Sequence, residues 1–372
     1  MIQEADLPAL HAMVVWSIFA LGLVLGAVMN RTNFCTMGAI SDIQNMGEWT
    51  RMRMWLCAIG VAIVGAQLLD AAGLIDVTKS IYAVPAFTWL SYLVGGFLFG
   101  FGMVLASGCG SKTLVRIGGG SLKGVVTFLA LGLAAYMTLK GVFGVVRVAT
   151  VDTVSARLAP GQDLPRLLAG DDAGAVDTLR ITLGLAIGGA LIAFAFAGRE
   201  FRRFDNVLGG VATGAVIVAA WYVSAHLGYV AEDPRTLEEA FIATNSGRAE
   251  SFSFVSPVAY TLELLMFWSD ASKHVTVGIA AVLGMIAGSF LYAVAARRFR
   301  WEGLHGAEDT ANHLVGGALM GVGGVTALGC TIGQGLSGVS TLSLGSFLAL
   351  AAIIAGAVTA MRYQVWRVER MA

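Results

Sequence analysis

Charge is what this sequence has least of. Only 13% of its 372 residues are charged, against about 25% in an ordinary soluble domain. Lys+Arg and Asp+Glu both number 24, so nothing in the net charge suggests a nucleic-acid partner, and any charge signal must lie in how the loops alternate. Proline is scarce at 6, and the four cysteines, Cys35, Cys57, Cys109 and Cys330, form no CxxC pair. That spacing argues against a metal cluster or a redox dithiol. Five histidines are dispersed, with no HExxH and no phosphate-binding loop, so we expect no catalytic residue, no metal and no cofactor. What is present is apolar: 57% hydrophobic residues, a mean hydropathy of +0.76 and 48 glycines. Such a composition belongs to closely packed helices in a lipid bilayer.

Apolar runs long enough to cross a membrane predict nine spans, at 11–29, 53–71, 87–106, 121–146, 180–198, 206–228, 274–296, 313–328 and 341–361. Four shorter pieces, Asn33 to Gln44, Cys109 to Arg116, Phe254 to Phe267 and Cys330 to Ser337, read as re-entrant half-helices. The expected fold is therefore an all-α polytopic membrane protein. The N-terminus has no positive region before its first apolar run, so that run reads as a retained span. Five loops on one side carry three Lys or Arg each, fifteen in all, against eight on the other. The positive-inside rule then places the N-terminus outside, in the periplasm, and the C-terminus in the cytoplasm.

A repeat is legible in the glycines. Two glycines four apart, followed nine residues later by a cysteine, occur as Gly22, Gly26 and Cys35; Gly96, Gly100 and Cys109; Gly317, Gly321 and Cys330. The last two sets are 221 residues apart. A fourth unit pairs Gly210 and Gly214 with Ser253-Phe254-Val255-Ser256, which lines up with Asn33-Phe34-Cys35-Thr36 but lacks the cysteine. We expect one transport domain over 1–372 with a first half at 11–146, a connection at 147–205 and a second half at 206–361. An odd number of spans precedes the second half, so the halves are expected to be inverted, the build of secondary transporters.

Each repeated cysteine opens a half-helix, where unpaired N–H groups favour an anion. A thiol buried among apolar groups stays neutral and offers a weak S–H donor with a soft sulfur surface. The expected binding residues are Cys35, Cys109 and Cys330, with Asn33, Gly108 and Gly329 beside them. Arg31, Lys112 and Arg116 are candidates for drawing an anion to the mouth, although cytoplasmic charges of this kind are also what orientation demands. Cys57, mid-span and outside the repeat, reads as a small packing residue. Lys140 reads as a snorkelling lysine, and Glu263 and His226 as the best candidates for a proton relay.

The segments RTNFCTMGAISD, GGFLFGFGMVLASGCGSKT and GGALMGVGGVTALGCTIGQGLSGVSTLSLGSF resemble the sulfur transport domain of the YeeE/YedE family. The resemblance implies a bacterial inner-membrane thiosulfate importer, in which nine spans and four short helices form an hourglass. It further implies that three central cysteines, at Cys35, Cys109 and Cys330 here, contact thiosulfate through S–H···S hydrogen bonds. A cytoplasmic sulfur-carrier protein is the partner it implies. Other sulfur or selenium species remain open as substrates. So does a membrane thiol or sulfur-transfer enzyme, although the activating base or second cysteine it would need is missing.

Overall fold

The computed structural model describes residues 4–158, 161–170 and 172–371. Helices α1 (Leu7–Thr32), α2 (Thr36–Met46), α3 (Thr50–Ala71), α4 (Trp89–Leu105), α5 (Gly110–Gly118) and α6 (Leu122–Lys140) make the first half of the sequence. Two short helices, α7 (Val142–Ala149) and α8 (Leu164–Ala169), lead to α9 (Ala173–Ala197). Then follow α10 (Phe204–Tyr222) with a π-helical turn at Val223–Leu227, α11 (Ser256–Met266), α12 (Val277–Ala295), α13 (Gly306–Thr326), a second π-helical turn at Gly333–Gly338, and α14 (Leu344–Met371). Sheet is confined to two pairs of two-residue strands in the loops, β1 (Ala86–Phe87) with β2 (Ala156–Arg157) and β3 (Tyr229–Val230) with β4 (Ala240–Phe241). The protein is an all-α polytopic membrane protein.

Eight helical stretches among the described residues are long and apolar enough to cross a membrane. The remaining long helix, α13, carries Glu308 and Asp309 in its first turn and becomes apolar from Leu314 onwards. The fourth expected span is shorter than its apolar run. At Gly141 the backbone turns extended (φ −111°, ψ −158°) and α7 starts afresh. Of the four short pieces, three form α2, α5 and α11. The fourth, after Cys330, winds into the π-helical turn instead of an α-helix.

Glycines decide how these helices meet. A Cβ on Gly26 would run into the Met285 carbonyl, and one on Gly288 into that of Leu23, so α1 and α12 lie backbone to backbone and parallel. Gly210 meets Met54 and Cys57 while Gly214 meets Ala58 and Val61, which sets α10 parallel to α3 in the same way. Gly96 and Gly100 seat α4 on α14, and Gly317 and Gly321 seat α13 on α6. Such contacts replace the hydrophobic drive that lipid removes with close van der Waals packing.

The packing is duplicated throughout. Exchanging α1 with α10, α3 with α12, α4 with α13 and α6 with α14 turns each of those pairs into another that exists. The short elements follow the same exchange. Helix α2 packs on α3 as α11 packs on α12, and α5 packs on α6 and α12 as the Gly333–Gly338 turn packs on α14 and α3. Helices α4 and α13, which exchange with each other, cross with Gly95 beside Gly323 and Gly102 beside Gly316, so they run antiparallel. Counterpart helices that run in opposite directions are what an inverted repeat requires. Helix α9 stands outside the exchange; it lies antiparallel on α3, with Gly60 and Gly188 each within 3 Å of the other's carbonyl when given a Cβ (2.6 and 2.8 Å).

Candidate functional site

The three cysteines follow the same backbone device. Asn33 (φ 52°), Ser107 (φ 55°) and Leu328 (φ 57°) are left-handed, and each stands two residues before a cysteine. In α4 the Gly108 N–H donates to the Met103 carbonyl at 2.8 Å and Ser107 N–H to Val104 at 3.1 Å. Helix α13 repeats this with Gly329 to Gly324 at 2.8 Å and Leu328 to Val325 at 3.1 Å. These are Schellman caps, which end a helix sharply and turn the chain back. A leucine in this conformation costs roughly 1–2 kcal/mol, and the matched hydrogen bonds hold it there. A Cβ on Gly108 would press on the Lys112 side chain (3.1 Å), and one on Gly329 on Gln334 (3.1 Å). The two glycines therefore admit the tight return toward the thiol.

All three thiols are free and buried. The Cys35 sulfur precedes α2 and accepts a hydrogen bond from Gly38 N–H at 3.4 Å. Cys330 repeats that contact with Gly333 N–H at 3.4 Å, and the backbone N–H groups of Phe254 and Ile332 also face its sulfur. Cys109, at the start of α5, instead pairs its sulfur with the Ser111 hydroxyl at 3.2 Å. Cys109 is within electrostatic range of both Cys35 and Cys330. The unit without a cysteine still contributes here: the Phe254 carbonyl lies 3.2 Å from where a Gly110 Cβ would be. The Phe254 peptides thus lie between Cys109 and Cys330, a role its alignment with Phe34 could have suggested. Cys57 packs against Gly210 in the α3–α10 crossing.

Charge gathers at Cys35. Lys112 Nζ donates to Asn33 Oδ1 at 2.5 Å and so joins the first break to α5. Arg116 Nη1 donates to the Ala106 carbonyl at 3.4 Å. Arg51, in the first turn of α3, pairs through Nε with the buried Asp42 at 2.6 Å and lies so close to Gly38 that a Cβ there would overlap its guanidinium. Cys35 therefore has Lys112 and Arg116 within electrostatic range, and Arg51 is within range of Lys112. Arg31 is not brought in. It pairs with Asp205 at 2.9 Å on the exposed surface and stacks over Phe204.

Glu263 is not the unpaired membrane acid that a proton relay would use. Its Oε1 accepts from Lys140 at 2.9 Å, from Lys273 at 2.7 Å and from Tyr136 at 3.3 Å. Lys140 thus ends in an ion pair while its side chain stays half exposed. His226 is exposed, stacks on Tyr222 and contacts the Leu74 carbonyl at 2.8 Å. Gln334, four residues after Cys330, escaped the sequence reading. It is fully buried, its amide donates to Ala327 O at 2.5 Å, and its Oε1 has no partner among the described residues.

The family described as sulphur transport matches residues 31–359. Two curated relatives align over nearly the whole chain, both named thiosulfate transporter TsuA. The one from Escherichia coli (strain K12) is 28% identical over 369 residues, covering 94% of this chain and 95% of that protein. The one from Spirochaeta thermophila is 26% identical over 352 residues, covering 92% and 96%.

Proposed function

The chain belongs to the sulphur transport family, and on that premise we propose that it carries thiosulfate, a small sulfur-containing dianion, inward across the bacterial inner membrane. The observation that carries this reading is the linked set of three free, buried cysteines at matched helix breaks, with Cys109 in range of the other two. The relatives' names support the substrate. Cys330, Cys109 and Cys35 act in that order as hydrogen-bonding stations, exchanging S–H···S contacts without covalent chemistry. Asn33, Gly108 and Gly329 shape the breaks beside them. Lys112 and Arg116 attract the anion at the inner mouth, and Arg51 reinforces them; the Asp205 pairing leaves Arg31 out of that role.

The two halves, 11–146 and 206–361, face each other inverted, with the N-terminus periplasmic and the C-terminus cytoplasmic. The cytoplasmic sulfur-carrier protein implied by the resemblance receives the anion at the inner mouth. An inside-negative potential opposes a dianion by about 4.6 kcal/mol per 100 mV, so net import depends on consumption of the anion inside. Growth on thiosulfate as sole sulfur source, in a host stripped of its own importers, tests the assignment. The protein should restore growth on thiosulfate; growth restored only by selenite or sulfite uptake would redirect the substrate.

A further inference from the structure

Two adjoining cavities lie on the outer side of Cys330. The outer one, about 410 Å³, is lined by Lys140, Lys273, Glu263, His11, His274 and Thr276. The inner one, about 300 Å³, is lined by Arg248 with Ser251, Ser253, Ser256 and Leu328, and by Glu250, whose carboxylate is turned to Ser246 N–H and hydroxyl. Asn245 and Tyr260 line both, so the cavities meet there. The inner cavity ends beside the break, since Leu328 stands two residues before Cys330 and the Ser253 hydroxyl abuts Gly333.

The charges in the outer cavity are arranged for an anion. Both lysines bond the same carboxylate oxygen, at 2.9 and 2.7 Å. The Glu263 side chain is 8% exposed, while Lys140 is 49% and Lys273 30% exposed. The carboxylate is therefore buried behind two ammonium groups that keep N–H donors toward the cavity, with a net charge of +1. The hydrogen bond to Glu263 also raises the Lys273 pKa above the ordinary lysine value. Helix α12 adds its positive N-terminal end, contributing Thr276 and Ile279 to the outer cavity and Gly278 to the inner one. Thr276 does not cap that helix, and its hydroxyl has no partner among the described residues. The Arg248 guanidinium, exposed at the inner cavity, likewise has no ion-pair or hydrogen-bond partner among the described residues.

We propose that the Lys140–Glu263–Lys273 cluster, with Thr276, is a capture site for a small divalent oxyanion, which then passes Arg248 and the serine-lined cavity to reach Cys330. This deepens the transport reading and rests on it. Glu263 is the positioning residue: it aligns two cations that would otherwise repel each other, and it weakens their hold enough for release.

The test separates a capture site from a structural ion pair by sign. In proteoliposomes, Glu263→Gln leaves two cations facing the cavity and should lower the KM for thiosulfate at least threefold. The combined Lys140→Met, Glu263→Met and Lys273→Met protein removes the charge without leaving a buried ion unpaired, and should raise KM about tenfold with the maximal rate kept within twofold. Unchanged KM in both proteins, with normal wild-type uptake, overturns the capture site. An anionic lipid headgroup offers the same chemistry, so vesicles of phosphatidylcholine alone are compared with vesicles containing phosphatidylglycerol. KM shifts in both support the free anion, and shifts only with phosphatidylglycerol overturn it. Calorimetric titration of thiosulfate into solubilised Cys330→Ala protein reads the site without transport. Binding that tightens with added Glu263→Gln supports the proposal, and no tightening overturns it, whereas absent wild-type uptake would fall on the transport reading instead.

Discussion

The approaches to Cys35 and to Cys330 are built on one duplicated backbone and dressed differently. Near Cys35, Lys112, Arg116 and Arg51 gather with a single buried acid, Asp42. At Cys330 the sulfur meets backbone N–H groups of Gly333, Phe254 and Ile332, and the cations stand farther out, around Glu263 and at Arg248. The difference teaches that the duplicated backbone repeats the helix breaks, while the side chains around them set a different charge at each. Under the proposed inward transport, a dianion would pass from backbone N–H donors at Cys330 to a cluster of full charges near Cys35, which would offset part of an opposing membrane potential.

The largest effect should come from breaking the shared backbone. Gly100 and Gly321 are counterparts, and a Cβ on either would collide with a carbonyl, Ile353 or Leu131 respectively. Gly100→Val and Gly321→Val should each destabilise by about 3 kcal/mol or more, read as loss of folded protein in thermal unfolding. Gly189→Ala, where nothing lies within 4 Å, should leave the melting temperature unchanged. Markedly unequal costs for the two valines would contradict a duplicated frame.

The next effect tests the difference in dress. Lys112→Met removes a charge close to Cys35 and Cys109 and should raise the KM for thiosulfate about tenfold. Arg31→Met breaks only an exposed pair with Asp205 and should change KM less than about twofold. Equal effects would mean that inner charges serve orientation alone.

The smallest effect concerns the loops on the outer side. Lys79 bonds Glu239 and Tyr229, which holds the Glu239 carboxyl below its ordinary pKa of 4.5 and Lys79 above its ordinary 10.5. Stability from the depressed acid is full above pH 4.5 and lost as pH falls through its folded pKa; stability from the raised lysine is full below pH 10.5 and lost as pH rises through its own. The pair is partly exposed, so its contribution is at most about 1 kcal/mol. Glu239→Gln should lower the melting temperature slightly at pH 7, and the difference should shrink as the pH falls below 4.5.

Much of this molecule was legible in its sequence for a physical reason. Apolar length marks spans, and a glycine that meets another helix's backbone leaves a fixed period, so Gly96, Gly100 and Cys109 recur at Gly317, Gly321 and Cys330. The break at Gly141 was hidden because the apolar run continues through it. The side-chain partners were not legible either, because they join residues remote in sequence. Glu263 meets Lys140 across 123 residues, and Arg31 meets Asp205 across 174. Arg51 was not legible as part of the site, since nothing local to it signals that α2 folds back against its guanidinium.

The central claim, that three thiols and not the fourth conduct the anion, is tested most directly by thiosulfate uptake into proteoliposomes containing single alanine variants. Cys35→Ala, Cys109→Ala and Cys330→Ala should each reduce uptake on the order of tenfold or more, since each removes one donor hydrogen bond and the soft sulfur beside it. Cys57→Ala, lost from a helix crossing at Gly210, should retain nearly normal uptake. Equal tolerance of all four substitutions would contradict the account.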